Sequence, residues 1–165
     1  MDRYRYRDEL EFIHYTLSTL PTKVQEILRG THFVTSYCPK FLGLIDDDDT
    51  GDGRKLTEQC WAWIYNQRPL VFMVREFVFD KKVLLHELGH IARFNLGDDV
   101  PDWISPFNNY AAKNYHEGYA TAFQSFLTNE PLDEWYYHTW EDLFKYDIST
   151  YRYFEKQFEF SPHLI

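Results

Sequence analysis

The sequence predicts an α+β domain in which helices precede a small sheet and further helices follow it. Three observations lead there. Residues 4–19 and 81–95 carry apolar side chains at helical spacing. Two short β-rich runs, WAWIY (61–65) and LVFMV (70–74), stand between them. From Pro131 onward the chain returns to helix-like patterning in two pieces, rich in Trp, Tyr and Phe. The 165 residues suit one domain spanning 1–165. A hydrophobic content of 44% is enough for one core at that size. Within it, the sheet and a central helix are expected over about 30–96, and a helical C-terminal part over about 107–160.

Each element has a local reason. Leu10, Ile13, Leu17 and Leu20 recur on one face of the first helix. Pro21, tolerated in a first helical turn, opens a second short helix that Gly30 ends. His32 to Tyr37 reads as a strand. Residues 45–55, IDDDDTGDGRK, form a polar turn region. An EF-hand loop starting at Asp48 would put Gln59 where a bidentate Glu is needed, so the acidic run reads as a solvated loop. The turn-like Asn66-Gln67-Arg68-Pro69 joins the two β-rich runs as a hairpin. Asp80 is placed to cap a helix over roughly 81–95. The stretch from Gly97 to Pro106 interrupts the pattern, and a further helix fits roughly 113–128.

The bulk composition excludes several function classes. The formal net charge of −9 argues against general nucleic-acid binding, which needs clustered Lys and Arg. It favours basic partners through long-range attraction. No run approaches the roughly 20 apolar residues of a membrane span. The N-terminus MDRYRYRDELEF lacks the apolar segment of a secretory signal, and Cys38 and Cys60 make no disulfide framework. The expected compartment is therefore the cytoplasm, with both thiols reduced. Aromatic residues make up 19% of the chain and can fill a core or line a peptide groove.

The most informative segment is His86-Glu87-Leu88-Gly89-His90. Two histidines four apart share one face of a helix, so both imidazoles can reach one zinc ion at about 2.0–2.1 Å. Glu87, about 100° round the helix, can take a proton from a zinc-activated water and pass it to a leaving amine. Shuffling this composition yields HExxH in roughly 2 of 100 chains, so the context must carry weight. Val83, Leu84, Leu85, Leu88, Ile91 and Ala92 make the helix apolar nearly all round, the mark of a buried helix. Burying two His and one Glu there is costly without compensation, and a metal supplies it. Gly89, a poor helix former, implies the close approach of another backbone.

Catalytic zinc sites usually have three protein ligands and an open position. The extended pattern HExxHxxGxxH fails, because Arg93 and Leu96 occupy its last two defined places. The best remaining source is Asn114-Tyr115-His116-Glu117-Gly118-Tyr119-Ala120-Thr121. Glu117, Ala120, Thr121 and Gln124 share a face of small residues with one carboxylate, which lets this helix approach the HELGH helix. His116, pointing off that face, is the competing ligand.

HELGH followed by this Glu-led segment resembles the catalytic domain of anthrax lethal factor-like metallopeptidases, which include the Pro-Pro endopeptidases. By motif the resemblance covers roughly residues 80–128. It implies a zincin-like fold, with Glu117 as third zinc ligand in the gluzincin manner. It also implies that Tyr110, seven residues earlier, helps stabilise the oxyanion, a role a phenol O–H suits. Two positions and one spacing depart from the pattern: Gly118 replaces an aromatic residue, Thr121 replaces an acidic one that supports the site, and the interval from His90 to Glu117 is shorter than the pattern leads one to expect.

These readings converge on one expectation. The chain is a zinc-dependent endopeptidase with one catalytic Zn2+, acting on a protein or peptide substrate and using neither nucleic acid nor membrane. Three rivals remain in view. A catalytically weak or inactive zincin-like domain could bind peptides as a regulator, although it would have no need of Glu87. A deformylase-like hydrolase would use a cysteine ligand, but neither Cys38 nor Cys60 lies in a matching segment. A structural zinc site would need a fourth protein ligand. His14, His32, His138 and His163 read as surface or structural histidines.

Overall fold

The computed structural model describes residues 3–35, 55, 58–65, 67–97, 115–128 and 139–164. Among them lie six α-helices and a three-stranded sheet, an α+β arrangement. Helix α1 (Arg3–Thr19) buries Ile13 and Thr16, while Leu10 and Leu17 are half-buried. Pro21 sits at the N-cap of α2 (Thr22–Ile27), one residue before the first helical position, and Val24 and Leu28 face the core. Gly30, at φ 84°, turns the chain into β1 (His32–Thr35). This backbone conformation is nearly free only to glycine.

Strand β2 (Trp61–Tyr65) and β3 (Arg68–Met73) pair antiparallel, with Trp61 opposite Phe72 and Tyr65 opposite Arg68. Gln67, at φ 64°, occupies the tight turn between them. Strand β1 joins parallel to the other side of β3, with His32 opposite Leu70, so the order is β1-β3-β2. Pro69 has no N–H to give a ladder, and it lies where β3 has not yet met β1. The two faces of the sheet bury different sets. Val71 and Met73 join the main core with Phe33 and Ala62. Leu70, Phe72 and Val74 pack with Val34, Trp61 and Tyr65.

After a 3-10 turn (Arg75–Phe77), helix α3 spans Lys81–Leu96. Asp80 caps it as its sequence position predicts: Oδ1 accepts from the backbone N–H of Lys82 at 3.0 Å and of Val83 at 3.3 Å. Gly97, at φ 61°, ends it. Leu84, Leu85, Leu88, Ile91 and Ala92 are fully buried, because α3 packs on β2 and β3 and along α4 (Tyr115–Phe126). Asn95 ties α3 to α2 by donating to the Ile27 carbonyl.

Helix α5 (Trp140–Tyr146) opens on a capping box between Thr139 and Asp142. Helix α6 (Ile148–Phe158) opens on Asp147, whose side chain accepts from Thr150. Tyr119, Phe123 and Phe126 of α4 meet Tyr151, Phe154 and Phe158 of α6 in a buried aromatic cluster with centroid spacings of 5.3–6.4 Å. The last turn, Pro162–Leu164, returns to α6, where His163 hydrogen-bonds the Tyr151 hydroxyl. Among the described residues no helix is long and apolar enough to cross a membrane.

Candidate metal centre

The site is assembled by two helices. On α3, His86 and His90 stand one turn apart with ring centroids 5.0 Å from each other. On α4, Glu117 lies in the first turn and faces both rings. Each imidazole Nε2–H donates to its own carboxylate oxygen: His86 to Oε2 at 3.0 Å and His90 to Oε1 at 3.1 Å. His86 is buried and the other two are half-buried, so the group opens to solvent from the His90 and Glu117 side.

The two helices come this close because of what they lack. Gly89 lies between the two histidines on α3. A Cβ placed there would stand 2.8 Å from the Cα of Ala120 and 3.1 Å from its carbonyl oxygen. A side chain at Gly89 would hold the axes apart and Glu117 away from the rings. The close approach that the sequence assigns to Gly89 is thus to α4, at a residue one turn beyond Glu117.

The donor set fits a divalent ion. Two imidazole nitrogens and a carboxylate oxygen lie within 4.8 Å of one another. The His86 and His90 Nε2 atoms lie 3.0 and 3.1 Å from the two oxygens of the Glu117 carboxylate, close enough for the three side chains to share one ion. Two imidazoles and one carboxylate match an open three-ligand site better than a closed structural one. His86, His90 and Glu117 could therefore hold a metal ion. His116, the competing ligand, is not part of this group among the described residues.

The electrostatics follow from burial and from these contacts. Burial tends to push the Glu117 carboxyl up, but hydrogen bonds from His86 and His90 and their charges outweigh it and hold it far below the usual carboxylate range. Burial pulls the His90 imidazole down. The Glu117 hydrogen bond and the charges of Glu87 and Glu117 reverse that and leave it above its ordinary value. His116 is lowered by burial and by the charges of Arg93 and His90. Burial pushes the Glu87 carboxyl up; His86 and His90 pull against this, and the negative charge of Glu117 adds to it. A carboxyl raised in this way is better matched to proton transfer near neutral pH.

The charge of Glu87 also reaches the edge of the sheet. It helps raise the thiol of Cys60, the residue entering β2, after burial as the larger cause. Sequence separation hides this neighbour of Glu87, since the two stand 27 positions apart and no local pattern links them. Tyr110 lies outside the described residues, as do Cys38, the acidic run 46–49, Trp103, Phe107 and His138. Of the other histidines, His14 and His32 are exposed, and His163 serves the C-terminal turn. An open cavity of about 730 Å³ between α1 and the start of α3, lined by Phe12, Tyr15, Phe79 and Lys82 among others, contains none of the site residues. No protein-family model matches the chain, and no curated protein or solved structure matches it either.

Proposed function

We propose that the chain is a zinc-dependent endopeptidase with a zincin-like fold, resembling the lethal factor-like metallopeptidases. The observation that carries this reading is the meeting of HELGH with a carboxylate from a second helix: His86, His90 and Glu117 converge while Glu87 sits buried beside them. His86, His90 and Glu117 would hold the zinc. When bound, zinc would supply Lewis acidity to the attacking water and to the scissile carbonyl oxygen.

The chain's own residues do the rest. Glu87 accepts the proton of the attacking water on a carboxylate oxygen. It then delivers that proton to the amine nitrogen as the peptide bond breaks. Its raised affinity for protons favours the first transfer, while the two imidazoles, which pull against that rise, help it release the proton in the second. Tyr110 is assigned the oxyanion by resemblance alone. Strand β2, at the end of the strand order among the described residues, offers the upper rim of the cleft. An extended peptide could add to that edge, with main-chain hydrogen bonds aligning it across the site. The acidic net charge favours substrates with basic residues flanking the cut.

The test is digestion of a peptide library by the whole chain, with and without chelator, alongside Glu87→Gln. Cleavage should need zinc. The variant should lose roughly 100–10,000-fold in turnover, the range for a missing general base, while binding zinc as before. A Glu87→Gln protein that cleaves at the wild-type rate would sink the mechanism. A chain that binds zinc and library peptides but cuts none would favour the binding-regulator alternative.

A further inference from the structure

We infer that Gly89 is a positioning residue of this centre: its missing side chain sets the α3–α4 separation at which Glu117 reaches both imidazoles. As a statement about a catalytic site this rests on the reading above, but its geometric core does not. Gly89 lies three residues after His86 and one before His90, and Ala120 lies three after Glu117. The crossing is therefore within one turn of every ligand.

The neighbours of Gly89 cannot move aside cheaply. Two of the three nearest atoms to a Cβ there, the Cα and carbonyl oxygen of Ala120 at 2.8 and 3.1 Å, are backbone, and the third is the Phe123 Cβ at 3.2 Å. None is the far end of a flexible side chain. Non-bonded carbons rest about 3.5–4.0 Å apart, so one added methyl must part the helices by on the order of 1 Å. Metal ligands tolerate only about 0.2 Å. Glu117 also accepts from both rings at once, so it has no slack on one side to spend on the other. The aromatic cluster holds α4 from behind, through Tyr119, Phe123 and Phe126. A displaced α4 would also have to disturb that packing.

The converse follows as well. The backbones already touch, so α4 cannot move inward to compensate for a shorter carboxylate. Glu117→Asp, which withdraws the oxygens by one methylene, should therefore lose affinity even though its charge is kept.

The experiment uses the whole chain, 15N-labelled at histidine, as wild type, Gly89→Ala, Glu117→Ala and the double variant. In chelator-treated protein, the His86 and His90 ring resonances of Gly89→Ala should move toward those of Glu117→Ala, with far-UV circular dichroism unchanged. Unmoved resonances would overturn the inference. In zinc competition against a chelator, Gly89→Ala should bind roughly 10–100-fold more weakly, the range for losing a supporting group. In the Glu117→Ala background the same change should have almost no effect, because its route is through Glu117. Equal losses in both backgrounds would mean a general structural role and overturn the inference. If Gly89→Ala does not fold, Glu117→Asp decides: a similar loss supports the fixed spacing, and wild-type affinity overturns it. A wild type that takes up no zinc ends the metallopeptidase reading, while the ring resonances still decide the spacing.

Discussion

Helix α4 presents two unlike faces, and the contrast separates what holds this protein together from what places its chemistry. One face carries Tyr119, Phe123 and Phe126 into the aromatic cluster with α6. The other carries Glu117 and Ala120 toward α3, where Gly89 meets the Ala120 backbone and the Phe123 Cβ, and Thr121 and Gln124 are buried next to them on α4. Large aromatic rings bury much apolar area each, and that area stabilises the fold. Small residues bury little, and what they contribute is proximity. The polar face even costs stability: among the described residues the Thr121 hydroxyl and the Gln124 side-chain oxygen Oε1 are buried with no hydrogen-bond partner.

If the faces divide their work in this way, breaking the aromatic one should unfold the protein without reaching the centre. Phe154 is fully buried and contacts Tyr119, Phe123, Phe126 and Phe158. Phe154→Ala should lower the unfolding free energy by about 3–5 kcal/mol, as large aromatic deletions do. Denaturant titration reads this, and the molecules that remain folded should bind zinc with unchanged affinity. A matching fall in intrinsic zinc affinity would show that the two faces are not separable.

The opposite face should couple stability to metal. Zinc bound only by the folded state stabilises it by about 2.7 kcal/mol at a hundred times its dissociation constant. Thermal melts of wild type with and without zinc should differ accordingly, and Glu117→Ala should lose most of the difference. A shift that survives Glu117→Ala intact would place the ion elsewhere and remove Glu117 from the ligand set.

The two faces also differ in how far the sequence reveals them. The spacing of His86 and His90 is legible because a helix repeats every 3.6 residues, so two positions fix a shared direction. The cap at Asp80, the end at Gly97 and the helical C-terminal pieces are legible for the same local reason. Glu117 is legible once Gly89 demands a close neighbour, since only a face of small residues can supply one. The partner of Gly89, the parallel pairing of β1 with β3 and the aromatic cluster are not legible. Each joins segments far apart in the chain, and a Phe at helical spacing shows only that it is buried, not against what. His116 and Glu117, adjacent in sequence, are separated by the small-residue face that Glu117 shares, and among the described residues it is Glu117 that joins His86 and His90.

Thr121 tests where the border between the faces runs. It stands where the lethal factor-like pattern has an acidic residue that supports the site, yet its hydroxyl is buried without a partner among the described residues. Thr121→Val keeps the shape and removes the hydroxyl. If Thr121 only packs, the variant should be more stable by about 1 kcal/mol, the cost of an unsatisfied buried hydroxyl, with zinc affinity unchanged. A loss of zinc affinity or turnover would mean that the hydroxyl serves the centre and that its burial is the expense of that service.

Cys60 belongs to neither face of α4 but to the seam between the sheet and α3, where it packs against both core clusters. Its sulfur accepts the Val74 N–H at 3.2 Å. Burial pushes its thiol up from about 9 to about 12, the Val74 hydrogen bond opposes this, and the charges of Glu87, Asp80 and Glu76 add to it. The sign of the consequence is fixed. Below pH 9 both the folded and unfolded thiols keep their proton, and this group makes stability independent of pH. Between 9 and 12 the unfolded thiol has lost its proton while the folded one holds it, so stability falls as pH rises. The slope from one proton is at most about 1.4 kcal/mol per pH unit, and less for a thiol that is not fully enclosed. Cys60→Ser keeps an acceptor for Val74 and does not titrate in this window. Its stability should therefore run parallel to wild type below pH 9 and fall less steeply above it, with every other titrating group cancelling in the difference. Parallel curves up to pH 11 would mean that solvent reaches the seam. The low-dielectric surroundings invoked here for Cys60, and for its neighbour Glu87, would then have to be given up together.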